Sequence, residues 1–194
     1  GGVIAVNIKV SGQLALMILD VFTEVIIAPG YSPEARSLYS KKKNLRLLMI
    51  NSENKITTNE KQIRPVSGGL LIQKKDDHKL SRDDLDIVTK KTPSDSQVKD
   101  MLFAFKVAKH VKSNAIIYAK DGSTVGIGAG QMSRVDSSRI AAKKAKDAAL
   151  KAGESKSLTI DSVVASDAFF PFPDGLIAAI EAGASAVIQP GGSI

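Results

Sequence analysis

Three glycines at alternate positions join a predicted strand to the start of a predicted helix in the segment from Gly126 to Gln131. Glycine lets backbone amides approach a ligand, and a helix N-terminus attracts anions. Arg134 falls in the first helical turn, where its guanidinium could hold a phosphate through two hydrogen bonds. The G-x-G-x-G spacing is neither the dinucleotide fingerprint nor a P-loop. Phosphate binding and close packing of strand on helix are therefore equal alternatives.

A second candidate lies in Lys112-Ser113-Asn114, where a predicted helix ends and a predicted strand begins. The asparagine amide carries both a donor and an acceptor, which suits it to orienting an amine or amide. Connections of this kind often carry functional residues on a rigid scaffold. On these three residues alone, a turn or capping role for Asn114 is favoured over a substrate contact.

The stretch from Ser166 to Asp174 holds half of the six phenylalanines, together with two prolines and two acidic residues. A rigid aromatic loop can hold a flat ring, and its place after a strand favours binding over a hydrophobic plug. Asp174 also suits the N-cap of the helix predicted from Asp174 to Glu181.

Composition limits the chemistry further. The 194 residues contain no cysteine and two histidines, which excludes thiolate sites and makes a zinc enzyme unexpected. Lys109 and His110 are a tempting acid–base pair, but neighbours on a helix point about 100° apart, so joint action is not expected.

The net charge is +7, yet aromatic residues are not interleaved with the lysines as a nucleic-acid stacking surface requires. No apolar run approaches the roughly 20 residues that span a bilayer, and we expect a cytoplasmic protein without membrane contact.

Strands and helices alternate along the chain, which predicts an α/β sandwich. Residues 51–93 are polar and poorly periodic apart from residues 69–73, and they predict a connector that carries a small hairpin. The helices are predicted over residues 11–22, from 32 to the lysines at 41–43, from 94 to about 109, over 133–151 and over 174–181. The strands are predicted over residues 1–6, 24–28, 45–50, 114–119 and 124–128, around 163–164 and over 186–189.

The sequence begins directly in a predicted strand and ends in a glycine-rich turn that follows another, whereas natural termini tend to be polar and frayed. We therefore expect an excerpt of a longer protein. The motifs together resemble the transformylase part of the bifunctional AICAR transformylase/IMP cyclohydrolase family. The resemblance is collinear over essentially the whole chain, and the run from Ser166 to Phe172 is its most specific part. The other matching segments are residues 27–31, 41–44, 64–66, 112–114, 118–122, 126–131, 133–134, 174 and 192–193.

The resemblance implies a domain built from two copies of a cytidine-deaminase-like α/β unit, a three-layer sandwich without that fold's zinc. Residues 1–50 would be the tail of the first copy, 51–93 the connector, and 94–194 a second copy truncated at its C-terminal end. The cyclohydrolase domain would lie outside the chain.

The reaction implied by the resemblance moves a formyl group from 10-formyltetrahydrofolate to the amine of AICAR, in purine biosynthesis. The enzyme would be a homodimer with shared active sites. By resemblance, Asn114 is catalytic and contacts the AICAR base near the amine, and Arg134 and Phe169 line the AICAR site. Asp167 matches a ligand of a monovalent cation, K⁺. The folate-side positions are Val135, Pro171, Asp174, Ser193 and Ile194.

Two departures from the family pattern limit this transfer. The family's catalytic Lys-His pair lies in the first copy, before Gly1, so we expect the chain alone to be inactive. Lys109 and His110 would be the second copy's counterpart and do not take over that role. An acidic residue that contacts AICAR in some members aligns with Gly2, so this chain lacks that residue.

The alternative function is a non-catalytic nucleotide-phosphate-binding module that uses the glycine loop and Arg134. A basic RNA-binding domain is a more distant alternative.

Overall fold

The structure is a computed structural model, and it describes residues 1–50 and 61–192. The chain forms two compact units, Gly1–Asp77 and His78–Ile194. The boundary falls inside the predicted connector, because Leu80 and Leu85 pack against the core of the second unit.

The first unit contains a three-stranded parallel sheet in the order β1-β2-β3. Two helices pack against the sheet around a core that includes the buried Ile26. Both start at a capping serine, at the residues where the helices are predicted to begin: Ser11 Oγ accepts from Leu14 N at 3.2 Å, and Ser32 Oγ accepts from Ala35 N at 3.1 Å. The elements are β1 (Val3–Ala5), α1 (Gly12–Leu19), β2 (Val25–Ala28), α2 (Pro33–Tyr39) and β3 (Arg46–Met49).

Some predicted features of this unit are wrong. Helix α1 ends at Leu19, short of the predicted residue 22, and its apolar residues are only partly buried, because Leu16 and Met17 are exposed while Ile18 is buried. Strand β1 covers only part of the predicted residues 1–6, and Val3 is exposed. Helix α2 ends at Tyr39, before the lysines at 41–43.

An antiparallel hairpin lies in the stretch predicted to be a connector. It is formed by β4 (Lys61–Val66) and β5 (Gly69–Lys74). Ile63 lies opposite Ile72 in the register of the two strands.

The second unit is built on a four-stranded sheet in the order β7-β6-β8-β9. Strand β6 is antiparallel to both of its neighbours, whereas β8 and β9 are parallel. The two strands predicted at 114–119 and 124–128 pair as an antiparallel hairpin, and its turn uses positive φ angles at Asp121 (51°) and Gly122 (72°). The elements are α3 (Asp95–Ala108), β6 (Ile116–Lys120), β7 (Ser123–Gly128), α4 (Arg134–Lys151), β8 (Val163–Ser166), α5 (Pro173–Glu181) and β9 (Ala186–Ile188).

Helices cover both faces of this sheet. Successive strand residues point to opposite faces, so Ile117 packs with Met101 of α3 while Ile116 packs with Ala141 of α4 and Ala179 of α5. The second unit therefore has three layers, and the predicted α/β class is confirmed. Within the described residues, none of the helices combines the length and the apolar character that a membrane crossing needs.

Candidate active site

Three of the predicted site residues, Asn114, Arg134 and Asp167, lie where β8 ends and β6 begins. Because β6 and β8 are antiparallel, the segment before β6 lies beside the segment after β8. Ile116 is paired with Ser166, and Asp167 N donates to the Ala115 carbonyl at 3.2 Å. Asn114 and Asp167 therefore share one edge of the sheet although they are 53 positions apart in the sequence.

Asn114 is held from two sides. Its backbone N–H and its side-chain Nδ2 both donate to the Gln131 carbonyl, at 3.1 and 2.9 Å. Its own carbonyl accepts a hydrogen bond of 2.6 Å from Ser137 Oγ. A carbonyl oxygen can only accept, so the amide nitrogen must face Gln131 and Oδ1 points away from it. In the described part of the chain, no group donates to Oδ1.

Arg134 is paired with Asp167 in a half-buried position. Arg134 Nη2 lies 3.3 Å from Asp167 Oδ1, and Arg134 Nε donates to Ser166 Oγ at 3.2 Å. The exposed fractions of the two charged side chains are 17% and 12%. Ser113 Oγ donates to the second carboxylate oxygen of Asp167. Asp167 thereby connects Arg134 to the residue directly before Asn114.

The N-termini of α4 and α5 come together beside this pair. Gly175, in the first turn of α5, leaves no room for a side chain, since a Cβ would lie 2.9 Å from two ring atoms of Phe170 and 3.4 Å from Arg134 Cβ. The positive ends of both helix dipoles therefore lie close together. An anionic ligand is favoured at such a place.

The aromatic loop is anchored by the residue that directly follows β9. The backbone N–H of Phe170 donates to Gln189 Oε1 at 2.9 Å. Phe169 is half-buried, whereas Pro171 and Asp174 are exposed. The predicted N-cap role of Asp174 is wrong, because Pro173 already starts the helix and Phe172 is the cap.

Four of the predicted folate-side positions differ in what the structure shows of them. Val135 is half-buried in the first turn of α4. Ser193 and Ile194 lie outside the described residues. Asp174 lies in the first turn of α5, where its carboxylate accepts from Gly175 N at 2.7 Å. Its negative charge there complements the helix dipole.

Two of the three alternate glycines serve packing. A Cβ on Gly126 would overlap the Ala141 carbonyl, and a Cβ on Gly128 would overlap the Ser137 carbonyl. The packing alternative is thus confirmed for Gly126 and Gly128. Gly130 differs from them, with a φ of 66° and open space around it. Its N–H donates to the Lys112 carbonyl at 2.8 Å, which ties the glycine loop to the segment before Asn114.

Other candidates for chemistry lie outside this cluster. Across residues 1–50 and 61–192, no three histidine, cysteine or acidic side chains are grouped so that they could hold a metal ion. Lys109 follows the last residue of α3, and its Nζ donates to the His78 carbonyl at 3.4 Å.

The site includes residues to which the sequence patterns assigned no role. Gln131, Ser137 and Gln189 all hold a predicted site segment through a hydrogen bond. A signal was available for Ser137, because it lies four residues after the capping residue Ser133 and therefore on the same helix face. The partner of its hydroxyl could not be read from that spacing.

Comparisons with known proteins identify the family of this chain. The sequence profile of the family described as AICARFT/IMPCHase bienzyme matches residues 1–144. The whole chain is 60% identical to the bifunctional purine biosynthesis protein PurH of Roseobacter denitrificans. It is 57% identical to the protein of that name from Dinoroseobacter shibae and 56% to the one from Rhodospirillum rubrum. In each case the chain spans 37% of the relative's length. This chain therefore belongs to the AICARFT/IMPCHase bienzyme family.

Proposed function

We propose that this chain is part of an enzyme of purine biosynthesis that transfers a formyl group from 10-formyltetrahydrofolate to the amine of AICAR. The names of the family and of the relatives support this class of activity. The observation that carries the proposal is the fixed amide of Asn114. Its nitrogen is turned to Gln131, so its Oδ1 is available to accept a hydrogen bond from a substrate amine.

The proposed reaction places Asn114 beside the nucleophile. The AICAR nitrogen attacks the formyl carbon, a C–N bond forms, and the carbonyl electrons move to oxygen. The tetrahedral intermediate then expels N10 of the folate, and the proton lost by the amine is gained by N10. Asn114 Oδ1 would accept one amine hydrogen and so orient the nitrogen lone pair toward the formyl carbon. The acid–base pair for the proton transfer would come from outside this chain.

Arg134 would bind AICAR by polar contacts, with Phe169 against the flat base. The convergence of the N-termini of α4 and α5 at Arg134 supports a negatively charged ligand here. Val135, Pro171 and Asp174 would lie toward the folate, and Ser193 and Ile194 would complete that side. The full enzyme would be a cytoplasmic homodimer with active sites shared between subunits.

The finer fold assignment is also proposed. The second unit would be a cytidine-deaminase-like sandwich, and its support is the order β7-β6-β8-β9 with helices on both faces. The first unit would be the tail of a preceding copy. A crystal structure of the full-length protein tests this, because the two copies should superimpose on each other.

A potassium ion at Asp167 fits part of this geometry. Ser113 Oγ and Asp167 Oδ2 are adjacent oxygens, and oxygen donors suit a hard cation. A cation there would be held by these two oxygens, with the Ser113 hydroxyl hydrogen turned away from Asp167, while Arg134 keeps the other carboxylate oxygen. Replacing K⁺ by tetramethylammonium should lower the thermal unfolding temperature of the full-length protein, and D167N should remove the difference. Equal unfolding temperatures in both salts would contradict the cation.

The main test is Asn114→Ala in the full-length protein. Formyl transfer should fall by at least about 100-fold, in the range that loss of one transition-state contact produces. The cyclohydrolase activity expected in the same polypeptide serves as the internal control for folding. Unchanged formyl transfer by N114A would remove Asn114 from the chemistry.

Calorimetric titration separates the enzyme from the alternative module. The full-length enzyme should bind both AICAR and a folate analogue, and R134A should weaken AICAR binding. A non-catalytic nucleotide-phosphate module that used the glycine loop and Arg134 would bind AICAR but not the folate analogue.

The 194-residue chain without the rest of the protein should show no formyl transfer. Measurable turnover by it would contradict the proposed origin of the acid–base pair.

A further inference from the structure

We infer that Ser137 is a positioning residue that fixes the direction of the Asn114 side chain. The inference rests on the proposed function, because it assigns Ser137 a role in the same formyl transfer. Ser137 lies on α4 and is completely buried. Its Oγ donates at 2.6 Å to the Asn114 carbonyl, an atom that the Gln131 contacts do not involve.

The Ser137 hydroxyl is mounted on a rigid support. Its backbone N–H donates to the Ser133 carbonyl at 3.2 Å as part of the helix. The Ser137 backbone is in direct contact with Gly128 of β7, which has no side chain to hold the helix away. The position of the hydroxyl is therefore set by the packing of α4 on the sheet and does not depend on a flexible loop.

Asn114 itself begins the segment that leads into β6 and has no helix of its own to hold it. Its backbone N–H and its Nδ2 converge on one oxygen, the Gln131 carbonyl, and contacts to a single atom leave rotation about that atom open. The Ser137 hydrogen bond to the Asn114 carbonyl adds a second fixed point. The Ser137 contact restrains the Asn114 backbone and the Gln131 contact restrains Nδ2, so the two together limit the direction in which Oδ1 points.

Removing the hydroxyl should therefore affect turnover more than binding. In Ser137→Ala the side chain loses only one oxygen, and the Asn114 carbonyl loses its partner. The amide would rotate away from the direction required for attack, while Arg134 keeps its contacts to Ser166 and Asp167. We expect kcat for formyl transfer to fall about 10-fold, as loss of one hydrogen bond in the transition state implies, with KM for AICAR changed less than about 2-fold.

Ser138 offers a closely matched control on the same helix. It is also completely buried, and its hydroxyl makes one hydrogen bond, 2.7 Å to the Tyr118 hydroxyl. Ser138→Ala removes the same atom at the same burial but leaves Asn114 untouched. The two variants, made in the full-length protein, should lose similar thermal stability and keep the cyclohydrolase activity, and S138A should keep kcat for formyl transfer.

The double variant S137A/N114A completes the test. A residue that acts through Asn114 adds nothing once Asn114 is gone, so the double variant should match N114A. The inference is overturned if S137A keeps full kcat, if S137A and S138A lower kcat equally, or if the two losses in the double variant multiply. An unchanged kcat in N114A would instead overturn the proposed function, so the two failures are told apart.

Discussion

Gly128 of β7 lies directly against the backbone of Ser137 on α4, so that a Cβ on Gly128 would overlap the Ser137 carbonyl. Gly126 makes the same kind of contact with Ala141 one helical turn further along. The spacing of strand and helix at these two contacts is therefore set by the absence of side chains. Because Ser137 touches Asn114, this spacing also determines where the site residue lies.

Gly128→Ala should destabilise the protein by about 1–3 kcal/mol, because the new methyl group forces α4 away from β7. Chemical denaturation of the full-length protein measures the loss. Gly69→Ala is the control, since Gly69 has no atom within 4 Å of its Cβ position and no positive φ. That variant should stay within about 0.5 kcal/mol of the parent. A G128A protein as stable as G69A would contradict the close packing of α4 on β7.

Asp167→Asn should lower the free energy of unfolding by about 2 kcal/mol, because it leaves the charge of a half-buried Arg134 without its counterion. Asp147→Asn tests the matching exposed pair with Lys143, whose side chains are 48% and 75% exposed. Surface pairs contribute little, so D147N should cost less than about 0.5 kcal/mol. Denaturant titration of both variants in 0.15 M salt provides the comparison. Equal losses of unfolding free energy in the two variants would show that burial of the Arg134–Asp167 pair does not affect stability.

Asp100→Ala should loosen the turn between β6 and β7. The two carboxylate oxygens of Asp100 accept the backbone N–H groups of Asp121 and Gly122, at 2.9 and 2.8 Å. We expect a loss of about 2 kcal/mol, and a smaller loss for Asp100→Asn, which keeps one acceptor oxygen. Hydrogen exchange of the Asp121 and Gly122 amides measures the loosening at the turn itself, as a loss of protection. Unchanged protection of both amides in D100A would rule out this anchoring role.

Stability should fall at alkaline pH because burial raises the pKa of Tyr118 above its ordinary value of 10.0, despite an opposing hydrogen bond from Ser138. As the pH rises, the unfolded chain loses the Tyr118 proton before the folded chain does. The stabilisation that comes from the raised pKa is therefore complete below about pH 10 and is lost as the pH rises toward the folded-state pKa. Tyr118→Phe should therefore be less stable than the parent at pH 8. The difference in unfolding free energy between the two proteins should narrow above pH 10. Denaturation at pH 8, 10 and 11 measures it. A gap independent of pH would contradict the predicted shift.

Local chemistry in the sequence was enough to predict many of the elements. A capping serine bonds to a backbone amide three residues later, so Ser94 and Ser133 mark the starts of α3 and α4 without knowledge of anything distant. The same holds for the turn at Asp121 and Gly122, where residue type alone indicates a reversal. Asp174 shows the limit of such rules, since a proline one residue earlier already starts the helix.

The burial of apolar side chains was predicted less well, because it depends on what covers an element. Leu16 and Met17 follow a helical apolar pattern and are nevertheless exposed. In the β6 strand, by contrast, Ile116 and Ile117 are both buried, since helices cover both faces of the sheet. A pattern on one element carries no information about its neighbours.

The sequence by itself determined the family and the types of residue in the site, because these lie in short runs such as Ser166 to Phe172. Only the tertiary structure decided how those residues act together. Ser113 and Asp167 are 54 positions apart, and Ser137 is 23 positions from Asn114; antiparallel pairing and helix packing bring each pair into contact. A hydrogen bond depends on distance and direction between atoms, and no order of residues along a chain specifies these until the chain has folded.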